Sequence, residues 1–217
     1  MIKVKSFYLT DTGRVREHNE DSVTILKNIS GEYLCVVADG MGGHRKGEVA
    51  SALTVAHLGK RFTESASIGT KLYAVNWLSD NINEINKEIL NYGEENENSK
   101  GLGTTVVAAI VTKDFLIFAN IGDSSGYVIK NNKLHKVTKP HTLVNLLVDA
   151  GDLTPEQAAN HPKKNVLMKA LGAAEKCEPD IFDVDNESNA VFLCSDGLTG
   201  MLSDEQIEKV LLENDLT

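Results

Sequence analysis

Four acidic spots in this chain share one local arrangement. Asp39 ends the apolar run "LCVVA" and is followed by Gly40; Asp123 closes the run "FLIFANIG". Asp196 ends "AVFLCS" and precedes Gly197, while Glu20 and Asp21 stand in "REHNEDS", directly before "SVTIL". A single strand that ends in Asp-Gly is ordinarily a turn. Several such endings in one small domain bring carboxylates to one sheet edge if the strands lie side by side. Converging carboxylates raise one another's pKa unless a cation intervenes. Oxygen-only donors are hard ligands and favour Mg2+ or Mn2+ over zinc or copper. The glycines of "DGMGG" fit that reading, because a residue without a side chain lets a backbone carbonyl approach a hydrated ion.

Competing chemistries find less support. Gly40-Met41-Gly42 begins a phosphate-cradling GxGxxG, but position 45 is Arg and no Gly-Lys-Ser/Thr follows. Ser195 lies beside Asp196 without a GxSxG turn, so it is no candidate nucleophile. Cys35, Cys177 and Cys194 are odd in number and show no CxxC spacing. They read as buried thiols of a reducing cytoplasm. Thr104 and Thr105 are most simply β-formers, and Ser124 a turn residue.

The elements that must carry these residues follow from periodicity. Strands are expected over 3–10, 22–28, 33–38, 104–111, 115–122, 126–130, 133–137, 179–185 and 190–195. "YLCVVAD" is nearly all apolar, as in a strand buried on both faces. One helix is expected over 47–65, its buried face marked by Val49, Ala52, Leu53 and Ala56. A longer one covers 70–91, with Leu78, Ile82, Ile85 and Ile89 on one face. Asn131-Asn132 reads as a hairpin turn. Residues 141–172 hold short helical segments, one opened by Thr154, Pro155 and Gln157 in a capping box. "SDEQIEKVLLEN" is a last helix capped by Ser203 or Asp204. This order points to an α+β or layered sandwich fold more than to regular βαβ alternation.

The 217 residues suffice for one domain with a sizeable core. A net charge of -9 argues against nucleic acid or an anionic membrane as main partner. No run of about 18 apolar residues exists, and the first residues do not form a signal peptide.

At these motifs the chain resembles the metal-dependent serine/threonine phosphatases of the protein phosphatase 2C (PPM) family, in their bacterial form. "GRVREHNEDS", "VVADGMGGHRKGEVAS", "GLGTTVVAAIV", "ANIGDSSGYVI", the segment 141–172 and "VFLCSDGLTGMLSDEQI" occur in the family's order. The resemblance implies an α+β fold, a four-layer α/β/β/α sandwich of two antiparallel sheets flanked by helices, with a dinuclear metal site at one end. It also implies a single domain over 1–217, with a flap segment and following helices over 141–172. Asp39 would bridge two Mg2+ or Mn2+ ions, the Gly40 carbonyl would hold one, and Asp196 the other. Asp123 and Asp196 would help bind a third ion; Glu20 and Asp21 would act directly or through bound water. Arg16 would hold the substrate phosphate in its planar fork. His44 is a candidate proton donor to the leaving oxygen. The activity implied is hydrolysis of phosphoserine and phosphothreonine on proteins by a metal-bridging hydroxide. The partners are phosphorylated proteins and an opposing bacterial kinase, and the enzyme would act in the cytoplasm as a monomer, without nucleic acid or membrane insertion.

Three departures from the family pattern stand out. Ser125 occupies a place where bacterial members commonly carry Arg, and Pro140 stands where an Asp is usual before His141. The sequence ends at Thr217 without the family's closing Asp-Asn-Ile-Thr strand, whose Asp is a ligand. That departure leaves a second reading, a catalytically impaired, phosphatase-like regulatory or binding module.

Overall fold

Strands that bury both faces need apolar residues at odd and even positions alike, and this chain supplies them at its centre. The computed structural model describes residues 4–42, 46–96, 99, 101–185 and 187–213. The elements run β1 (Asp21–Lys27), β2 (Tyr33–Met41), α1 (Lys46–Glu64), α2 (Lys71–Glu95), β3 (Gly103–Thr104), β4 (Val106–Val111) and β5 (Leu116–Ile121). They continue with β6 (Ser125–Lys130), β7 (Lys133–Lys136), α3 (Leu143–Asp149), α4 (Pro155–Ala159), β8 (Asp180–Val184), β9 (Ala190–Cys194), α5 (Asp196–Thr199) and α6 (Asp204–Glu213).

One antiparallel sheet has the order β1-β2-β4-β5-β8, with β3 paired to the end of β2. The second has the order β7-β6-β9. Helices α1 and α2 cover the first sheet, α6 touches β7 of the second, and β9 and β6 face β2 and β4. The layers are therefore helix, sheet, sheet, helix, as the resemblance implied.

Alternation along the strands sorts side chains between two cores. Leu34, Val36, Ala108, Ile110, Ile117 and Ala119 face α1 and α2, joining Phe62, Trp77, Leu78, Ile82, Ile85 and Ile89. Ala109, Leu116, Phe118 and Val128 form a much smaller core between the sheets, edged by Cys35, Val191 and Leu193. Beside it a cleft of about 620 Å³ runs between Val23, Ile25 and Val37 on one sheet and Val191 and Leu193 on the other.

Several local expectations hold in detail. Asn131 and Asn132 adopt φ of 54° and 55°, the left-handed pair that a two-residue hairpin turn requires. Thr154 and Gln157 close a capping box with Pro155 in the first turn. Ser203 caps α6: its Oγ accepts from the Gln206 N–H, and its own N–H donates to Gln206 Oε1. All three cysteines are free, with burial pushing the Cys35 and Cys194 thiols up to about 12.

Two expectations fail. Residues 4–10 form no strand, because they have no ladder partner among the described residues, and Phe7 and Leu9 stay largely exposed. The face of α1 is also different: Gly47, Ala50, Ser51, Thr54, Leu58 and Phe62 are buried, whereas Ala52 and Ala56 are exposed. The helix lies close on β1 and β2, and small residues permit that approach.

Candidate metal centre

The two sheets deliver their acids to one end of the sandwich. Antiparallel pairing of β1 and β2 sets Asp21 directly opposite Asp39. Opposed residues project from the same face. Here that face turns toward the second sheet, as Cys35 does on the same strand. Asp123 lies in the turn from β5 to β6, where the chain crosses between sheets. Asp196 follows β9, whose last residue, Cys194, pairs with Ser125 at the start of β6.

Electrostatics show how closely the four gather. The Asp39 carboxyl is driven far above the usual carboxylate range by burial, then by the charges of Asp21 and Asp196, contact with the Asp196 carboxyl, and the charge of Asp123. Asp123 is pushed up to about 6 by burial and by Asp196, against the pull of its own backbone N–H and of Lys136. Burial and mutual repulsion outweigh the pull of Lys136, so both carboxyls bind protons more tightly than an ordinary aspartate.

As they stand, no three or more Asp, Glu, His or Cys among the described residues are arranged as a finished ion cage. Their chemistry still suits one: an oxygen-only set, crowded and buried, in which Asp39 and Asp196 touch through a proton that a divalent ion would displace.

The other candidates divide. Glu20 is half-buried and contributes its carbonyl, which accepts the Gly40 N–H at 3.1 Å and the Ser51 hydroxyl at 2.6 Å. Gly40 is buried, and its lack of a side chain has a cause besides ion access. A Cβ there would stand 2.2 Å from the Gly47 carbonyl oxygen and 2.6 Å from that of Glu20. The end of β2 thus crosses the first turn of α1 backbone to backbone. Arg16 is exposed and forms no ion pair with a described residue. His44 lies outside the described residues.

A set of hydroxyls around the acids carries no signal of its own in the sequence. The Asp39 N–H donates to Thr105 Oγ1 at 3.0 Å, and the Asp39 carbonyl accepts from the Thr105 N–H and the Thr104 hydroxyl. Thr105 Oγ1 in turn lies 2.7 Å from Ser124 Oγ, beside Asp123. Ser195 donates to Asp21 Oδ2 at 2.7 Å, tying the end of β9 to the start of β1. Thr104, Thr105 and Ser124 are at most 2% exposed. Thr104 does lie in β3 and Ser124 in the turn between β5 and β6, as their types imply, and their hydroxyls with that of Thr105 are in addition internal struts of the site.

Comparison with known proteins places this geometry. The model of the protein phosphatase 2C family matches residues 12–213. A serine/threonine phosphatase (stp) of Listeria welshimeri is 42% identical over 205 residues, which cover 94% of this chain and 81% of the relative. Among solved structures, the serine/threonine phosphatase Stp1 from Staphylococcus aureus superposes with a TM-score of 0.88 at 38% identity, covering 97% of this chain and 87% of that one. The catalytic domain of the serine threonine protein phosphatase PstP, in complex with two manganese ions, superposes with a TM-score of 0.78 at 35% identity, covering 93% and 81%. With a family model spanning nearly its whole length and relatives this similar, the chain belongs to the protein phosphatase 2C family.

Proposed function

We propose that this chain is a Mg2+- or Mn2+-dependent phosphatase that hydrolyses phosphoserine and phosphothreonine on proteins. The carrying observation is the convergence of Asp21, Asp39, Asp123 and Asp196 from both sheets, close enough to raise the carboxyls of Asp39 and Asp123 above the ordinary range. Asp39, Asp123, Asp196, Glu20, Asp21 and the Gly40 carbonyl are the residues that would hold two or three ions. Bound there, the ions would supply Lewis-acid charge and a water activated near neutral pH. Asp39 is held at its N–H and its carbonyl by Thr105, so its carboxylate has a fixed base from which to bind. Arg16, exposed and without an ion pair among the described residues, serves the substrate phosphate, since a guanidinium offers two parallel N–H donors to two oxygens. His44 is the proton donor to the leaving oxygen.

The chain acts as one domain, monomeric and cytoplasmic, with 141–172 as its flap, and opposes a serine/threonine kinase. No helix among the described residues is long and apolar enough to cross a membrane. A binding module without catalysis draws no support from the relatives, which are named as phosphatases.

The test is phosphate release from a phosphothreonine peptide with Mn2+. Wild type should release phosphate only when the ion is present. Asp39→Asn should be slower by at least ~100-fold, the upper end of what losing even an outer-shell partner of a metal costs. Equal rates reject the reading.

A further inference from the structure

The turn that carries Asp123 is gripped by a histidine from the next segment. Gly122 donates its N–H to His141 Nδ1 at 3.0 Å, and its carbonyl accepts the His141 backbone N–H at 2.9 Å. One residue therefore satisfies both polar groups of Gly122, immediately before Asp123. Acceptance at Nδ1 leaves that nitrogen without a proton, so the neutral ring carries its hydrogen on Nε2. Asp180 Oδ2 stands 3.1 Å from Nε2, close but not aligned as a formed hydrogen bond. Asp180, at the start of β8, also pairs with Lys169 at 3.0 Å. Burial works to raise its carboxyl, yet His141 and Lys169 hold it below the ordinary range, so it stays charged beside the ring.

The opposite side of the turn is equally fixed. Gly122 has φ +102°, and a Cβ there would lie 2.5 Å from Thr105 Cγ2. Ser124 bonds Thr105 on the far flank of Asp123. The turn 122–124 is thus pinned between Thr105 and His141, with the Asp123 carboxyl left to meet Asp196. His141 also opens the 141–172 segment. Its carbonyl accepts the Met168 N–H at 2.8 Å, and the neighbouring Thr142 bridges to Leu167. Only 11% of its side chain is exposed.

We propose that His141 is a positioning residue: held as the Nε2–H tautomer by the Gly122 N–H at its Nδ1, with the charged Asp180 beside its other nitrogen, it fixes the Gly122–Asp123 peptide and so sets where the Asp123 carboxylate would meet its ion. The same contact joins the 141–172 segment to that carboxylate. This rests on the reading of Asp123 as an ion ligand.

The test uses the full chain and Mn2+ alone. In a long-range 1H–15N spectrum of the ring nitrogens, His141 should show its proton on Nε2 at neutral pH, assigned by the signal missing in His141→Asn. A proton on Nδ1, or on both nitrogens, overturns the proposal. Calorimetric Mn2+ titrations then compare wild type, His141→Leu, His141→Asn and Asp123→Asn. His141→Leu should weaken the Asp123-dependent binding about tenfold. His141→Asn, whose Oδ1 can replace Nδ1 as acceptor, should restore most of it. His141→Leu that binds like wild type, while Asp123→Asn binds more weakly, overturns the clamp. Asp123→Asn that binds like wild type sinks the ligand reading instead. Should His141→Leu fail to fold, a folded His141→Asn that still binds tenfold more weakly overturns the clamp, since the acceptor would be present without its effect.

Discussion

Asp39 keeps a proton that an isolated aspartate would lose, because burial and three neighbouring acids act on it together. Both Asp39 and Asp123 bind protons more tightly when folded than their unfolded value of 3.8 allows. The stability this lends is complete below that value and is lost as pH rises. For Asp123 the loss runs from 3.8 to about 6 and is then complete, and for Asp39 it continues higher. Ion-free protein should therefore lose thermal stability as pH is raised across 6, and Mn2+ should restore it. Asp39→Asn, which removes at equal volume the cost of keeping that carboxyl protonated, should melt higher than wild type in chelator near neutral pH, by about 2–4 °C for each kcal/mol relieved. It should also gain less from Mn2+. Melting curves with and without the ion check both statements; a lower melting point for Asp39→Asn in chelator would contradict them. The acids were legible in the sequence because each stands at the end or start of an apolar run. Their hydroxyl partners were not. Thr105 meets Asp39 across 66 positions and Ser195 meets Asp21 across 174. Ser and Thr are too common in strands and turns to announce such a partner.

Elements are joined by polar knots that local pattern does not reveal. Glu32, just before β2, accepts the Ile68 and Gly69 N–H groups at 2.6 and 3.1 Å, and also the side chains of Asn28, Ser30 and Ser67. It thereby ties the β1–β2 turn to the α1–α2 connection. Burial works to raise its carboxyl, but these donors more than offset it and hold it below 4.5. The sign is opposite to that at the acidic cluster: this contribution is present above 4.5 and is lost as pH falls through the lower folded value. Glu32→Gln should cost on the order of 1 kcal/mol at neutral pH, modest because the site is half open to water. Denaturant midpoints should show the gap closing under acid; an unchanged gap there would remove the charge from the explanation. Where the pattern was purely hydrophobic, as in α2, the buried face was readable in advance. On α1 it was not, because close approach to the sheet selects Gly47, Ala50 and Ser51 over larger apolar side chains.

At the scale of the molecule, the order of strands and helices was legible from alternation and turn residues, and the pairing of the two sheets came with the family resemblance. What neither conveyed is how unequal the two interiors are. The helix-facing core is large and sealed, whereas a small cluster around Ala109, Leu116, Phe118 and Val128 and a cleft of about 620 Å³ lie between the sheets. Openings of lowest free energy follow the weakest packing. In native-state hydrogen exchange, the amides of β4 and β5 should be slowest and those of β7 and β9 markedly faster; uniform rates across both sheets would refute this. The acids come from both sides of that thin seam, Asp21 and Asp39 from one sheet and Asp196 from the other. Whenever the sheets part, these carboxylates are divided between them. An ion bound by the proposed ligands would then be a rivet, and its loss and the breathing of the sandwich would be one event.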